Sequence, residues 1–275
     1  SDKIAEPEPE NMEFIPGGSF IMTIDENDKT LEVSVSVDAF WMSNEITNSE
    51  YREYINYVKD HPNNEMCWID LARAAKKNES SEAKEGMKSF LICVKYSEIA
   101  DDIIDFTKLP YEDYFTNKKY NDFPVVGISH KHASYFCIWK TQIENDKLKK
   151  EGKPAIHDYR LPVEAEWAYV ASHTQITKNK NDVDQKIRPS RSGKKNEFGL
   201  YNLAGNVSEW TISHHQSRWS GKEINDSQDH MKIIRGGSWK TSSNTDMRIE
   251  SDKSEAENYV GFRIVRSYTG INNAL

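Results

Sequence analysis

The chain has 275 residues, with 36 Lys and Arg against 44 Asp and Glu, and so a net charge of -8 at neutral pH. A chain of this length buries roughly 70–75% of the surface that its unfolded form exposes, so a packed core can form without disulfide or metal staples. The acidic balance argues against a nucleic-acid partner, which needs clustered cations to displace counterions, and no run of about 18 apolar residues is present to span a bilayer as a helix.

The first residues, "SDKIAEPEPENME", are acidic, proline-bearing and free of aromatics, which predicts a flexible tether over residues 1–11. Two origins for it stand open: a boundary just after a removed export signal, or a truncated cytoplasmic protein. "LEVSVSVDAFWM" then sets Leu31, Val33, Val35 and Val37 against Glu32, Ser34, Ser36 and Asp38, the period of a strand with one dry face. In "NEITNSEYREYINYV" Thr47 and Glu50 form a capping box, and Tyr51, Tyr54, Ile55 and Val58 recur at helical spacing, which predicts a helix of about three turns. Residues of about 60–120 mix a Lys/Glu-rich stretch with short apolar clusters and read as an insertion.

"FPVVGISHKHASYFCIWKTQIEN" predicts a short strand and a second helix capped by Ser129, with Ala133, Phe136, Cys137 and Thr141 on one face. His130 and His132, two apart, read as a solvated first-turn pair rather than as metal ligands. "YRLPVEAEWAYVAS" predicts a third, short helix starting at Pro162 with Trp167 and Val170 buried. "NEFGLYNLAGNVSEWTIS" is dense in glycine and asparagine, the signature of tightly folded irregular backbone leading into a strand; "KIIRGG" and "VGFRIVRSY" supply two more strands, and residues 269–275 a frayed tail. Cys67, Cys93 and Cys137 make no C-x-x-C pair and no zinc spacing. Cys137, among aromatics, reads as a small buried hydrophobe, whereas a Cys67–Cys93 bridge depends on a Cα separation that sequence does not give.

In order, "FIPGGSFIM", "NEITNSEYREYI", "FPVVGISHKHASYFCIWK", "YRLPVEAEWAYVA", "GLYNLAGNVSEW", "IIRGGSW" and "VGFRIVRS" resemble the successive motifs of the formylglycine-generating-enzyme (sulfatase-modifying-factor) family. The resemblance spans about residues 12–268 and implies a single α+β domain, related to the C-type-lectin fold, with a mixed antiparallel sheet core, few helices and long irregular loops. "NKKYNDFPVVGISHKHASYFCIWKT" is further similar to the gliding-motility and type IX secretion lipoproteins of Bacteroidota (the J and K type), which carry an insertion with a "CW" pair comparable to Cys67 and Trp68.

Catalytic members of the family oxidise a substrate cysteine with two thiols and copper, the soft metal that thiolates suit. Laid on this sequence, the Gly-Gly-Ser turn is Gly236, Gly237 and Ser238, and the thiol positions become Thr241 and Asp246; no cysteine lies beyond Cys137. The resemblance therefore implies a pseudoenzyme without copper. It also implies a structural calcium ion in "NLAGNVSEW", held by Asn202, Gly205, Val207 and Glu209, although Asn202 and Glu209 would equally serve as hydrogen-bond partners of loop amides. A hydrolytic use of His214 or His215 with Ser238 or Ser242 lacks an identifiable third partner. The resemblance implies that the chain would be a lipid-anchored envelope protein, periplasmic or at the outer membrane, tethered through a cysteine upstream of Ser1. It would act as a protein-binding scaffold for other envelope proteins, including secretion or gliding machinery. Trp219, Ser238, Trp239, Thr241 and Asp246 are the candidate partner contacts. The rival functions are an oxidase of unrecognised chemistry and a C-type-lectin-like ligand binder.

Overall fold

A computed structural model describes residues 7–26, 29–69, 91–175, 185–214, 230–242 and 245–268. One antiparallel sheet runs β1 (Met12–Ile15), β4 (Phe40–Ser43), β12 (Val265–Ser267), β7 (Tyr159–Arg160). A second runs β10 (Arg248–Asp252), β9 (Met231–Arg235), β8 (Ser208–His214), β11 (Val260–Gly261), antiparallel except for the parallel β8–β11 pair. Among the described residues, two ribbons, β2–β3 (Gly18–Glu26, Lys29–Val37) and β5–β6 (Glu65–Ile69, Leu91–Lys95), complete the strands, and three α-helices pack around them: α1 (Asn48–Asp60), α2 (His130–Lys150) and α3 (Glu164–Ser172). Among the described residues no helix is long and apolar enough to cross a membrane.

The α+β expectation is met, and local chemistry explains the elements. In α1 the Thr47 amide donates to Glu50 Oε2 (2.8 Å) and the Glu50 amide to Thr47 Oγ1 (3.3 Å), so two of the helix's otherwise unpartnered N–H groups are satisfied. Its Tyr51 and Tyr54 face Phe136 on α2, each 5.7 Å between ring centroids, and Phe262 closes the cluster 5.4 Å from Phe136. In β3, Val33, Val35 and Val37 are half-buried while Ser34 and Ser36 are exposed; Val33 and Val35 lie over Met22, Ile24 and Ala168.

Several sequence expectations shift. Helix α3 begins at Glu164 with Val163 as its cap, so Pro162 precedes the helix rather than opening it, and its carbonyl accepts the Ile212 amide of β8 (2.9 Å). "VGFRIVRSY" is not one strand: β11 and β12 belong to different sheets, and the crossing residues hydrogen-bond to the segment before α1 through Phe262 O to Ile46 N and Ile264 O to Ser43 N, both 2.9 Å. The predicted tether is shorter than 1–11, because Pro9 is buried and the Pro7 carbonyl accepts from Arg266. The segment read as an insertion contributes Tyr96, Ile103, Tyr114 and Phe115 to the core; Tyr96 opens a three-residue 3-10 turn and the other three lie on irregular backbone, which leaves no periodic signal. The β5–β6 register sets Cys67 opposite Cys93, and the two form a disulfide with Cα atoms 4.2 Å apart. Cys137 is buried, and burial pushes its thiol far up, as befits a packing residue. Residues 269–275 lie outside the described residues.

Candidate functional site

The loop between Tyr201 and Val207 takes its shape from three residues with left-handed backbone, Asn202 (φ 57), Gly205 (φ 95) and Asn206 (φ 63), the residue types that tolerate that region. This turns the loop onto a buried charge cluster. Glu209, at the start of β8, is wholly buried; Arg263 donates to both its oxygens through Nε and Nη2 at 2.6 Å, and the Trp167 indole N–H donates to Oε2 at 2.6 Å. Burial works against the Arg263 charge, but Glu209 beside it outweighs that cost and raises the guanidinium's pKa above its usual value. A second buried acid, Glu45, accepts from Asn202 Nδ2 and Asn206 Nδ2, each at 2.9 Å. Burial first, then the nearby Glu209, push Glu45 up to about 8 against the pull of Arg263 and the two amides.

That shift has a sign. A folded chain that keeps a proton on Glu45 while the unfolded chain releases it near the ordinary 4.5 is favoured at low pH, and this contribution is lost progressively as pH rises from 4.5 to about 8. Glu45→Gln is therefore expected to flatten the pH dependence. Urea midpoints of the variant should differ less between pH 5 and pH 8 than those of the wild type; equal differences would show that Glu45 titrates normally.

Asn202, Gly205 and Val207 thus sit on the loop and Glu209 just beyond it on β8, but the Glu209 carboxylate and the Asn202 amide nitrogen are engaged. Glu209 turns both oxygens to Arg263 and Trp167, and Asn202 turns its amide nitrogen to Glu45 and to the Ser190 carbonyl (2.7 Å). So placed, the Glu209 carboxylate is already neutralised by the guanidinium, so a dication there would have to share it with Arg263, whereas Asn202 engages only its amide nitrogen.

The Gly-Gly-Ser turn is bonded to this loop. The Trp239 amide donates to Asn206 O (2.8 Å) and Ser208 Oγ to Gly236 O (3.3 Å). Gly236 has φ +78, and a Cβ there would come 3.1 Å from the Trp167 ring, so glycine is required twice over. Trp167 lies between turn and loop, with the Arg235 guanidinium over its ring at 5.4 Å. At the first thiol position, Thr241 Oγ1 accepts the Ser238 amide (2.9 Å) and lies 3.0 Å from Ser238 Oγ, so its hydroxyl locks the turn. At the second, Asp246 is exposed and its backbone carbonyl accepts from Arg235 (3.4 Å).

Of the candidate contacts, Ser238 is fully buried and faces Thr241 and the amides of Lys240 and Thr241, so it presents nothing to a partner. Trp239 is half-buried, its indole N–H on Asn258 O (3.2 Å) and Lys240 Nζ 5.2 Å from its ring centre. Trp219 and His215 lie outside the described residues. His130 and His132 are buried rather than solvated: β8 covers the start of α2, so His130 Nε2 meets Thr211 O (3.1 Å) and its ring lies edge-on to Trp210. Burial, reinforced by Lys232, pushes His130 down to about 3, and burial likewise lowers His132. Glu45 and Arg263 escaped sequence reasoning; the "NEIT" and "GFR" runs that carry them were legible only as motifs.

A sequence model of the Sulfatase-modifying factor enzyme 1-like domain matches residues 2–268. The chain belongs to this family. "Inactive C-alpha-formylglycine-generating enzyme 2" of Bos taurus is 25% identical over 265 residues, covering 83% of this chain and 76% of that protein. "Chaperone protein LppX" of Paenibacillus barcinonensis is 28% identical over 164 residues, covering 45% of this chain and 55% of that protein. Among solved structures, PvdO from Pseudomonas aeruginosa superposes with a TM-score of 0.59 at 18% identity, over 93% of this chain and 94% of that one, which establishes a shared fold. Within this sulfatase-modifying-factor domain, the loop that leads into Glu209 and the turn bearing Ser238 are one hydrogen-bonded unit, held through Trp167.

Proposed function

We propose that this sulfatase-modifying-factor-like protein is non-catalytic and works as a protein-binding scaffold of the cell envelope, in secretion or gliding machinery of the type IX kind. The observation that carries the reading is the state of the two thiol positions: Thr241 spends its hydroxyl holding the turn closed, and Asp246 offers a carboxylate, a poor ligand for Cu(I). The disulfide pair Cys67 and Cys93 stands on the β5–β6 ribbon, not on the turn, and as a cystine it offers no thiolate. A persistent disulfide also supports an oxidising compartment outside the cytoplasm. A relative named as inactive and another named as a chaperone accord with work done through contact rather than turnover.

On this reading the partner-facing part of the turn is Trp239, Lys240 and Asp246, an aromatic flanked by both charges. The test pairs two measurements on the whole chain: incubation with copper and a cysteine-bearing peptide, and recovery of bound secretion components from envelope fractions. Absence of oxidation with recovery of such components supports the reading. Oxidation of the peptide, or recovery only in cytoplasmic fractions without envelope partners, overturns it.

A further inference from the structure

A second polar site stands at the other end of α2's first turn, outside the unit just described. A cavity of about 430 Å³ is bordered by Asp101, Asp102, Asp105, Ser129, His132 and Glu255, among other residues. Acidic rims are common and by themselves mean little. What distinguishes this one is His132, whose side chain is only 9% exposed and whose Nε2 is buried without a hydrogen-bond partner. A buried, unsatisfied ring nitrogen is costly and asks for an occupant.

The nearest group is Asp102 Oδ1 at 3.7 Å, too long for a hydrogen bond. Zinc binds imidazole nitrogen at roughly 2.0–2.1 Å and carboxylate oxygen at roughly 2.0–2.2 Å, so two ligands of one tetrahedral ion stand about 3.4 Å apart. Asp102 is 68% exposed and free to close the small difference. The other ring nitrogen, Nδ1, lies 3.1 Å from Ser129 Oγ, the kind of contact through which ligating histidines fix the tautomer that leaves Nε2 as a lone pair. Ser129 is itself fixed, because it caps α2 and accepts the His132 amide (3.4 Å).

We infer that His132 Nε2 and Asp102 form the core of a binding site for a first-row divalent cation, zinc by the chemistry of the donors. Imidazole with one carboxylate suits zinc better than calcium or magnesium, which prefer all-oxygen shells. Water fills the remaining positions, because among the described residues no third His, Cys, Asp or Glu brings a ligand atom within 4.8 Å of these two.

The test is zinc titration of the whole chain by calorimetry, against Asp102→Asn and His132→Gln. Asp102 is exposed, so its variant folds as the wild type does and keeps the test decisive if His132→Gln is destabilised. The expected result is one zinc equivalent bound in the micromolar range by wild type, at least tenfold weaker binding by Asp102→Asn, and a zinc-induced shift of the His132 ring nitrogen resonances. The inference is overturned if zinc does not bind, or if Asp102→Asn binds it as tightly as wild type, which would place the metal on the other histidines.

Discussion

Arg263→Met is expected to destabilise the fold by about 3–5 kcal/mol, the cost of leaving a buried carboxylate without its cation. Glu209 would keep only the Trp167 indole N–H as a donor, and Arg263 also ties Ser43 O (3.0 Å) and Tyr201 O (3.2 Å), so the strand before α1 and the loop after residue 200 both lose an anchor. Urea unfolding read by tryptophan fluorescence measures the effect. Glu209→Gln should fall in the same range, and the double variant should lose clearly less than the sum, because the second change removes the charge that the first one stranded. Additive losses would mean that the pair acts as two independent packing residues, and a loss under about 1 kcal/mol for either single variant would mean that the cluster is not the keystone described above.

Cys67→Ser with Cys93→Ser is expected to cost roughly 2–4 kcal/mol in the unit that contains the β5–β6 ribbon, since the bond closes a sequence separation of 26 residues. The ribbon packs on α2 through Trp68 against Tyr135, with ring centroids 5.7 Å apart, but Leu91, Cys93 and Lys95 of β6 are exposed, so the loss should appear as faster proteolysis between residues 61 and 95 before the rest of the chain opens. Reductant should reproduce the effect in wild type and add nothing to the double variant. An unchanged proteolysis rate would show that packing alone orders the ribbon.

How much of this was legible depends on the range of the interaction. The Thr47–Glu50 capping box, the Ser129 cap and the tyrosine stripe of α1 lie within one or two helical turns, and the structure holds them as read. The histidines of α2 were misread because spacing within a helix says nothing about what covers it; Thr211 and Trp210 of β8, about 80 residues away, bury His130. The disulfide could not be read since it depends on the ladder register that sets Cys67 opposite Cys93. The motif order implied the fold and located the turn and loop. It did not reveal that Glu209 would face Arg263, 54 positions away, or that Glu45 would lie under Asn202 and Asn206, because buried charge pairing is a property of the assembled core.

The central claim is that the turn keeps its geometry while its chemistry is gone. The most direct measurement incubates the purified chain with Cu(I), oxygen and a cysteine-bearing peptide, with and without reductant, and reads the peptide by mass spectrometry. The account predicts an unmodified cysteine under both conditions. Conversion to the aldehyde, above a copper-only control, would contradict it.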